Sequence, residues 1–530
     1  MKPVKATTAL KTLLKVLGVS LVIFAIAEST VRVAYYVRNS MVEYIPLPYM
    51  LPRAEGPIPP WRDQLSIVVR DDVMRRKYKP NSRRKYLSIF GPADSVEQLR
   101  AIFHDFIPSV RAGLATGPVW ETSVNADGFR DDDFLREKPA TSFRIICLGD
   151  SWTYGQNVNV DDAYPRRLRA LLEREYPGAH FEVFNVAVQG YASYHGVRLL
   201  RRFIEFRPDV VVIAFAMNDF GMRGAREQDP GQARVVDRVG ALLEKIELYK
   251  LVRYWLLLLK FKPKPFGDYI RDWPGELAWK TQEAEKSLGD YERNHAEMID
   301  LATRHGARVI LLHNELWTDG PYLEPLEAIA RTNGVPLIDA SGLIAAARRG
   351  IEAALESRLD LRPSAARRGS VNEEIEVVFR LHVERPARET PPYIVGAHPK
   401  LGGLVPNRVR MYDDGTHGDQ RPGDHVWSYS ATFPRGTRLF YVYTDSGQEG
   451  RWEGLDVQFI RTLEVEAGNG KSILYAPVES FGKIPLLSDR VHTDRDGYEL
   501  IARAVFEVLR QDTRVKDHVS RRAQRRPATP

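Results

Sequence analysis

From residue 143 onward the sequence alternates short apolar runs with helical patterns, and this alternation limits the fold more than any other feature. The runs RIICL, FEVFNV, DVVVIAF, RVILLH and VPLID begin at residues 144, 181, 209, 308 and 335. The segments between them carry apolar residues at helical spacing. Strands that alternate with helices are typical of a parallel sheet with crossover helices, so we expect an α/β fold.

A second pattern begins near residue 370. EIEVVFRLHV, PYIVGAH, HVWSYSATF and RLFYVYT are short alternating strands separated by Gly, Pro and Asp turns. This pattern is typical of a β-sandwich. Helical periodicity returns over residues 495–511. The sandwich is therefore predicted to be inserted within the α/β domain.

Six regions follow from these patterns. We predict an N-terminal signal anchor (1–40), a Pro/Arg-rich linker and N-terminal extension (41–140), a first α/β part (141–369), an inserted β-sandwich (370–467), a second α/β part (468–511) and a basic disordered tail (512–530).

The N-terminus indicates export. Four lysines precede the mostly apolar run Val16–Ala27, and Ala25 and Ala27 form an A-x-A pattern before Glu28. We expect the body to lie outside the cytoplasm, whether periplasmic or extracellular. It would be held by an uncleaved membrane anchor or secreted after signal cleavage.

Charge and cysteine content exclude several classes. The net charge is +7, but four arginines cluster in the tail at 521, 522, 525 and 526. No basic stripe with interleaved aromatic residues is present, so we expect no nucleic-acid partner. The one cysteine, Cys147, excludes an internal disulfide and a cysteine metal cluster.

Ser151 follows the first predicted strand in the stretch FRIICLGDSWTYG, at the sheet edge where α/β proteins place their chemistry. A serine hydroxyl needs a base, and the base needs an acid that holds its tautomer. Asp489 and His492 form a D-x-x-H pair before the last helix. Taken alone, a pair this short fits a chance pair in a surface loop better.

Two further residues end neighbouring strands. Gly190 follows the second strand and Asn218 follows the third, so both are predicted at the same rim as Ser151. A backbone N–H and a side-chain amide are suitable donors to an oxyanion. A turn glycine and a helix N-cap asparagine are the structural alternatives.

The blocks GDS at 149–151, glycine at 190, ND at 218–219 and D-x-x-H at 489–492 resemble those of the SGNH hydrolase (GDSL-like lipase/esterase) superfamily, over about 140–350 and 480–511. This resemblance implies a flavodoxin-like three-layer α/β/α domain without cofactor. It also implies that Ser151 is the nucleophile, His492 the general base and Asp489 its orienting acid. Its oxyanion hole would comprise the Ser151 N–H, the Gly190 N–H and the Asn218 side chain.

One departure is Ala216, where many members have the glycine of G-x-N-D, which leaves the fine positioning of Asn218 open. An α/β-hydrolase fits less well, because LGDSWTYG lacks the G-x-S-x-G elbow. The upstream stretch Val124–Phe134 resembles the N-x-x-G-F-R segment of membrane-anchored SGNH proteins associated with cell-surface polysaccharides, which favours a retained anchor.

The predicted sandwich resembles a starch-binding-type carbohydrate-binding module. Trp452 matches one sugar-stacking position, but Leu404 stands where the family usually has a second tryptophan. A structural or partner-docking sandwich therefore stays open. Asp413, Asp414, Asp419 and Asp424 form an oxygen-rich loop suited to Ca²⁺, although turn chemistry alone explains such residues.

These features predict a serine hydrolase that acts on acyl, and in particular O-acetyl, esters of a cell-envelope or extracellular saccharide. An O-acyltransferase shares the first half-reaction, and a catalytically silent glycan-binding scaffold would keep the fold without turnover. A lipase is a further alternative, based on the apolar stretch 251–260. We interpret this stretch instead as an amphipathic helix packed on the core or against the membrane surface.

Overall fold

The computed structural model describes residues 4–40, 44–47, 60–61, 66–71, 74–88, 119–221, 239–240, 242–262, 266–315, 320–362, 374–383, 391–444, 460–466, 473–489 and 491–523. The helices are α1 Val4–Ser40, α2 Ser151–Tyr154, α3 Tyr164–Glu175, α4 Ser193–Phe203, α5 Glu247–Lys260, α6 Phe266–Arg304, α7 Leu323–Asn333, α8 Ala340–Arg358, α9 Arg495–Gln511 and α10 Thr513–Ala523. The strands are β1 Tyr44–Leu47, β2 Val68–Asp71, β3 Arg75–Tyr78, β4 Arg83–Ser88, β5 Val119–Ser123, β6 Ser142–Gly149, β7 His180–Ala187, β8 Val210–Ala214, β9 Arg308–His313, β10 Leu337–Asp339, β11 Glu374–His382, β12 Tyr393–Gly396, β13 Val409–Arg410, β14 Val426–Pro434, β15 Arg438–Thr444, β16 Arg461–Glu464 and β17 Ile473–Ser480.

A five-stranded sheet in the order β10-β9-β8-β6-β7 forms the centre of the α/β domain, and all its strand pairs are parallel. Every residue of β6 and β8 is buried, as expected when helices cover both faces. Helices α4, α6 and α7 pack on one face, whereas α3, α8, α9 and α10 pack on the other. The predicted α/β fold with an inserted β region is confirmed.

The strand order places Ser151 at a topological switch point. The chain leaves β6 for β7 on one side and then returns to β8 on the other side of β6. The loops after β6 and β8 consequently diverge and open a crevice at the carboxyl ends of these strands. Ser151 is the first residue of α2, which follows β6.

The β-sandwich consists of a three-stranded sheet, β14-β11-β17, and a four-stranded sheet, β13-β12-β15-β16. Residues such as Phe379 and Tyr441 fill the core between them. The predicted boundary at residue 467 is wrong, because β17 pairs with β11 and continues the sandwich to Ser480. Strand β17 belongs to the sandwich because its side chains Leu474, Ala476 and Val478 are buried.

The structure also corrects the predictions for the C-terminal tail and the N-terminal extension. Residues 512–530 were expected to be disordered, but α10 forms because Val515 is buried and His518 packs against Phe143 and Phe181. The extension 41–140 is more than a linker: β1, β4 and β5 form a sheet, and β2 and β3 form a hairpin. The N-terminal helix is long and apolar enough to cross a membrane over Lys11–Ser40, a test that a signal sequence also passes.

Candidate active site

Ser151 is placed by the turn that ends β6. The Asp150 carboxylate accepts a hydrogen bond from the Trp152 N–H and so caps α2 at its first turn. Gly149 is required before it, because a Cβ there would overlap the side chain of Thr153. The Ser151 side chain is thereby fixed at the rim of the sheet and is largely buried.

His492 and Asp489 lie beside Ser151. The Ser151 Oγ is 2.8 Å from His492 Nε2, and His492 Nδ1 is 2.7 Å from Asp489 Oδ2. Trp152 Nε1 donates to the Val491 carbonyl at 2.9 Å and ties the serine turn to the histidine turn. The structure thus brings together three side chains that are far apart in sequence, in the order hydroxyl, imidazole, carboxylate.

The Asp489 carboxylate is surrounded by donors. Oδ1 accepts from the N–H groups of Val491 and His492, and Oδ2 accepts from Asn157 as well as facing the imidazole. Burial would raise the pKa of Asp489, but the His492 imidazole and the N–H groups of Val491 and His492 together lower it below its usual range. An ionised carboxylate at this point keeps a proton on Nδ1 and leaves Nε2 free to accept one.

A second buried histidine at the same rim has carboxylate neighbours. His313, at the end of β9, is 2.9 Å from Asp339 through Nδ1 and 3.5 Å from Glu315 through Nε2. Burial would lower the pKa of His313, but the two carboxylates outweigh it and raise the pKa. Both of its nitrogens face acids, whereas Nε2 of His492 faces the Ser151 hydroxyl.

Two backbone N–H groups are available near the serine. Within the described residues, neither the Ser151 N–H nor the Gly190 N–H donates to a protein acceptor. Gly190 has φ +74°, a backbone conformation that favours glycine. The two predicted backbone donors are therefore free to bind a ligand oxygen.

Asn218 reaches the same rim, but its amide is engaged. Nδ2 donates to Asp150 Oδ2 and to the Tyr191 carbonyl, each at 3.0 Å. Its predicted role as an oxyanion donor stays a prediction. In this conformation the amide links the serine turn to the loop that carries Gly190.

The N-x-x-G-F-R segment supports the serine turn from outside the sheet. Arg130 is buried, and its guanidinium donates to the carbonyls of Tyr154, Gly155, Glu121 and Val158. Phe129 packs edge-on against Phe203 of α4. The arginine of the motif is thus explained by its bonds to the loop that follows Ser151, and the phenylalanine by its packing on α4.

The site predictions in the β-sandwich have mixed outcomes. Trp452 lies outside the described residues. The loop brings together carboxylates of Asp413, Asp419 and Asp424, whose oxygens lie within 4.8 Å of one another. Asp414 stands apart and accepts from Thr416. Backbone N–H groups of the same loop already bond to Asp413, as turn chemistry alone would predict, so the Ca²⁺ site stays a prediction.

Two residues of the site were missed from sequence. Asn157 bonds to Asp489, and Asn314 donates to Asp150 Oδ1 at 3.0 Å. Asn314 follows β9 directly, so the end-of-strand rule that identified Gly190 and Asn218 also applies to it. Asn157 has φ +65° in a loop after α2, and no sequence pattern marks it.

Comparisons with known proteins agree with the domain type. Residues 147–366 match the model of the GDSL-like lipase/acylhydrolase family. This match includes Ser151, Gly190 and Asn218 and ends before the β-sandwich, whereas Asp489 and His492 follow it. A search of curated proteins found no match.

Matches among solved structures include a putative lipolytic protein of the G-D-S-L family from Desulfitobacterium hafniense, at 12% identity and a TM-score of 0.23, covering 38% of this chain and 79% of that one. An acetyl-xylooligosaccharide esterase from Geobacillus has 15% identity and a TM-score of 0.23, with coverage of 38% and 77%. The psychrotrophic esterase EstA from Pseudoalteromonas has 13% identity and a TM-score of 0.22, with coverage of 37% and 75%.

Proposed function

We propose that this chain, whose residues 147–366 form a domain of the GDSL-like lipase/acylhydrolase type, is a serine esterase that uses Ser151, His492 and Asp489. The observation that carries the proposal is the hydrogen-bonded series from Ser151 Oγ through His492 to Asp489. In this series the carboxylate orients the imidazole, and the imidazole can accept the hydroxyl proton. The Ser151 oxygen is thereby prepared for nucleophilic attack on an acyl carbon.

The reaction follows from the geometry. His492 Nε2 accepts the Ser151 proton while Oγ bonds to the ester carbonyl carbon, and Asp489 stabilises the resulting imidazolium. The N–H groups of Ser151 and Gly190 stabilise the oxyanion of the tetrahedral intermediate. The imidazolium then protonates the leaving alkoxide, and water releases the acid from the acyl-enzyme.

We further propose an O-acetyl ester on an envelope or extracellular saccharide as substrate, and an N-terminal anchor that keeps the body outside the cytoplasm. Support for a saccharide comes from the resemblance of the sandwich to a carbohydrate-binding module and from the N-x-x-G-F-R segment.

The test is acetate release from p-nitrophenyl acetate and from acetylated xylan by the full chain in detergent, with Ser151→Ala beside it. Ser142→Ala is the matched control, because Ser142 begins the same strand and its Oγ contacts the imidazole of His180 at 2.7 Å. We expect only Ser151→Ala to lose turnover. Equal rates in wild type and Ser151→Ala would refute the nucleophile.

An acyltransferase and a scaffold give different results. Both would leave these esters uncleaved by water, but an acyltransferase would still be labelled at Ser151 by a fluorophosphonate. A scaffold would not be labelled in its folded form. Mass analysis of the labelled peptide identifies the residue.

A further inference from the structure

Helix α5 exposes a stripe of large apolar side chains. Val252, Trp255, Leu256 and Leu259 are 51%, 58%, 56% and 83% exposed. Their spacing puts them on one face of the helix. Of the α5 residues, only Glu247 and Tyr254 are buried. Of the two predicted packings, on the core or against the membrane surface, packing of the apolar face on the core is therefore wrong. A patch of this kind is rarely left in water.

The same helix is joined to the N-terminal helix. The Glu28 carboxylate of α1 accepts from the N–H groups of Glu247 and Leu248 at 3.0 and 2.8 Å, so a residue of one helix caps the other. Arg32 donates to the Lys245 carbonyl at 2.6 Å. Residues 28–40 of α1 and helix α5 together form one unit, the collar.

The collar has the composition of a membrane–water interface. Trp61 packs between Tyr35 of α1 and Tyr254 of α5, and Trp255 lies beside Tyr254. Tryptophan and tyrosine are enriched at this depth in membrane proteins. Five basic side chains stand against two acidic ones, the basic ones being Arg32, Arg38, Lys250, Arg253 and Lys260. A basic, aromatic and apolar helix is typical of binding at the surface of an anionic bilayer.

The collar also begins where the apolar run of α1 ends. Side chains of Val16–Ala27 such as Val19, Leu21 and Ile23 are about 60% exposed, and Glu28 follows this run directly. If this run lies in the hydrocarbon core, the collar meets the headgroup layer without any further rearrangement. Continuity with this run favours lipid over a second protein as the occupant of the α5 face.

We propose that the apolar face of α5 binds the bilayer beside α1, so that the body is held at the membrane by two helices rather than tethered by one. This inference rests on the proposed anchor. Its consequence is that the enzyme acts on substrates presented close to the membrane surface.

The test uses the full chain in nanodiscs of phosphatidylcholine and phosphatidylglycerol, with and without brominated acyl chains, which quench nearby tryptophan. We expect bromine to quench wild-type fluorescence and Trp255→Phe to remove part of that quenching. Trp279→Phe is the control, because Trp279 is 53% exposed on α6 of the body. Identical quenching of wild type and both variants would overturn the proposal.

A second variant and an extraction assay separate the possible failures. Leu256→Glu should weaken the quenching of Trp255 and leave hydrolysis of p-nitrophenyl acetate unchanged, since Leu256 touches none of the groups around Ser151. Release of the chain from membranes by alkaline carbonate would overturn the anchor and the collar together. Retention without Trp255 quenching would overturn the collar alone, and neither result bears on the Ser151 esterase.

Discussion

At the scale of single residues, the orientation of His492 depends on how firmly Asp489 is held. Asp489 bonds to the imidazole, to two backbone N–H groups and to the Asn157 amide, so its carboxylate has no freedom to turn away. An amide at this position would keep the shape of the side chain and lose the charge. Its NH2 group would also face other hydrogen-bond donors, because every group that surrounds the Asp489 carboxylate donates to it.

We therefore expect Asp489→Asn to lower kcat for p-nitrophenyl acetate by roughly 10³- to 10⁴-fold, because His492 would be held in the wrong tautomer. Asp494→Asn is the control: Asp494 caps α9 and touches none of the three side chains. It should reduce thermal stability slightly and leave kcat unchanged. Equal kcat in wild type and Asp489→Asn would contradict the assigned role.

Two features favour glycine at position 190, a close contact and a positive φ, and mutagenesis can separate their effects. A Cβ at this position would lie 2.9 Å from Arg76 Nη1, and the residue has φ +74°. We expect Gly190→Ala to lower kcat by roughly 10²-fold, because the N–H that we propose as an oxyanion donor would move. Adding Arg76→Ala removes the contact but not the backbone strain.

Kinetics of the double variant then identify the cause. Recovery of most of the lost kcat would assign the effect to the arginine contact, and no recovery would assign it to the backbone conformation. Wild-type kcat in Gly190→Ala would contradict the prediction that the added Cβ displaces this N–H.

At the scale of elements, a buried carboxylate holds the start of α4, the helix that follows the loop carrying Gly190. Asp219 accepts from the Ser193 N–H at 3.0 Å and from its hydroxyl, so it caps α4. Asn294 of α6 donates to the same hydroxyl. Burial raises the pKa of Asp219 to about 7, against the lowering effect of the Ser193 bonds. The cap is consequently sensitive to pH near neutrality.

The sign of this dependence is fixed by linkage. A carboxyl whose folded pKa exceeds its unfolded pKa binds more protons in the folded state, so its contribution to stability is full below the unfolded value and is lost as pH rises through about 7. We expect wild type to lose free energy of unfolding between pH 5.5 and 8 relative to Asp219→Asn. Urea denaturation of both proteins at the two pH values measures this difference.

Two other buried carboxyls titrate in the same range. Burial also raises the pKa values of Asp131 and Asp150 to about 6, and both groups are present in wild type and variant alike. The effect of Asp131 cancels in the difference, whereas the charge of Asp150 raises the pKa of Asp219, so the difference reports Asp219 together with this coupling. Parallel pH profiles of the two proteins would show that Asp219 is not the group responsible.

At the scale of the whole molecule, sequence patterns predict the position of residues that follow strand ends. They do not predict features that depend on tertiary contacts. The end-of-strand rule located Ser151, Gly190 and Asn218 at one rim, because parallel strands bring their carboxyl ends together. The pattern could not show that the Asn218 amide is engaged by Asp150 and Tyr191, since that depends on side-chain rotamers.

The segment errors have the same origin. Strand β17 follows a turn-rich stretch and is recognisable only through its pairing with β11. Helix α10 is strongly basic and forms because a few apolar residues reach the core beside α9. Helix α5 shows the converse, because its apolar residues fitted the core and the membrane surface alike from sequence, and they are exposed. Local sequence does not specify which surface an apolar residue will meet.

The insertion is joined to the α/β domain by a buried ion pair, which provides a test of how the two parts stabilise each other. Arg380 of β11 donates to Glu356 of α8 at 2.6 Å, and both side chains are almost fully buried. We expect Glu356→Gln to lower the free energy of unfolding by roughly 3 kcal/mol, because the arginine would keep its charge without a counterion. Glu327→Gln, which breaks an exposed pair with Arg331, should cost less than about 0.5 kcal/mol. Urea denaturation followed by tryptophan fluorescence compares the two variants, and equal losses would mean that the insertion does not depend on this pair.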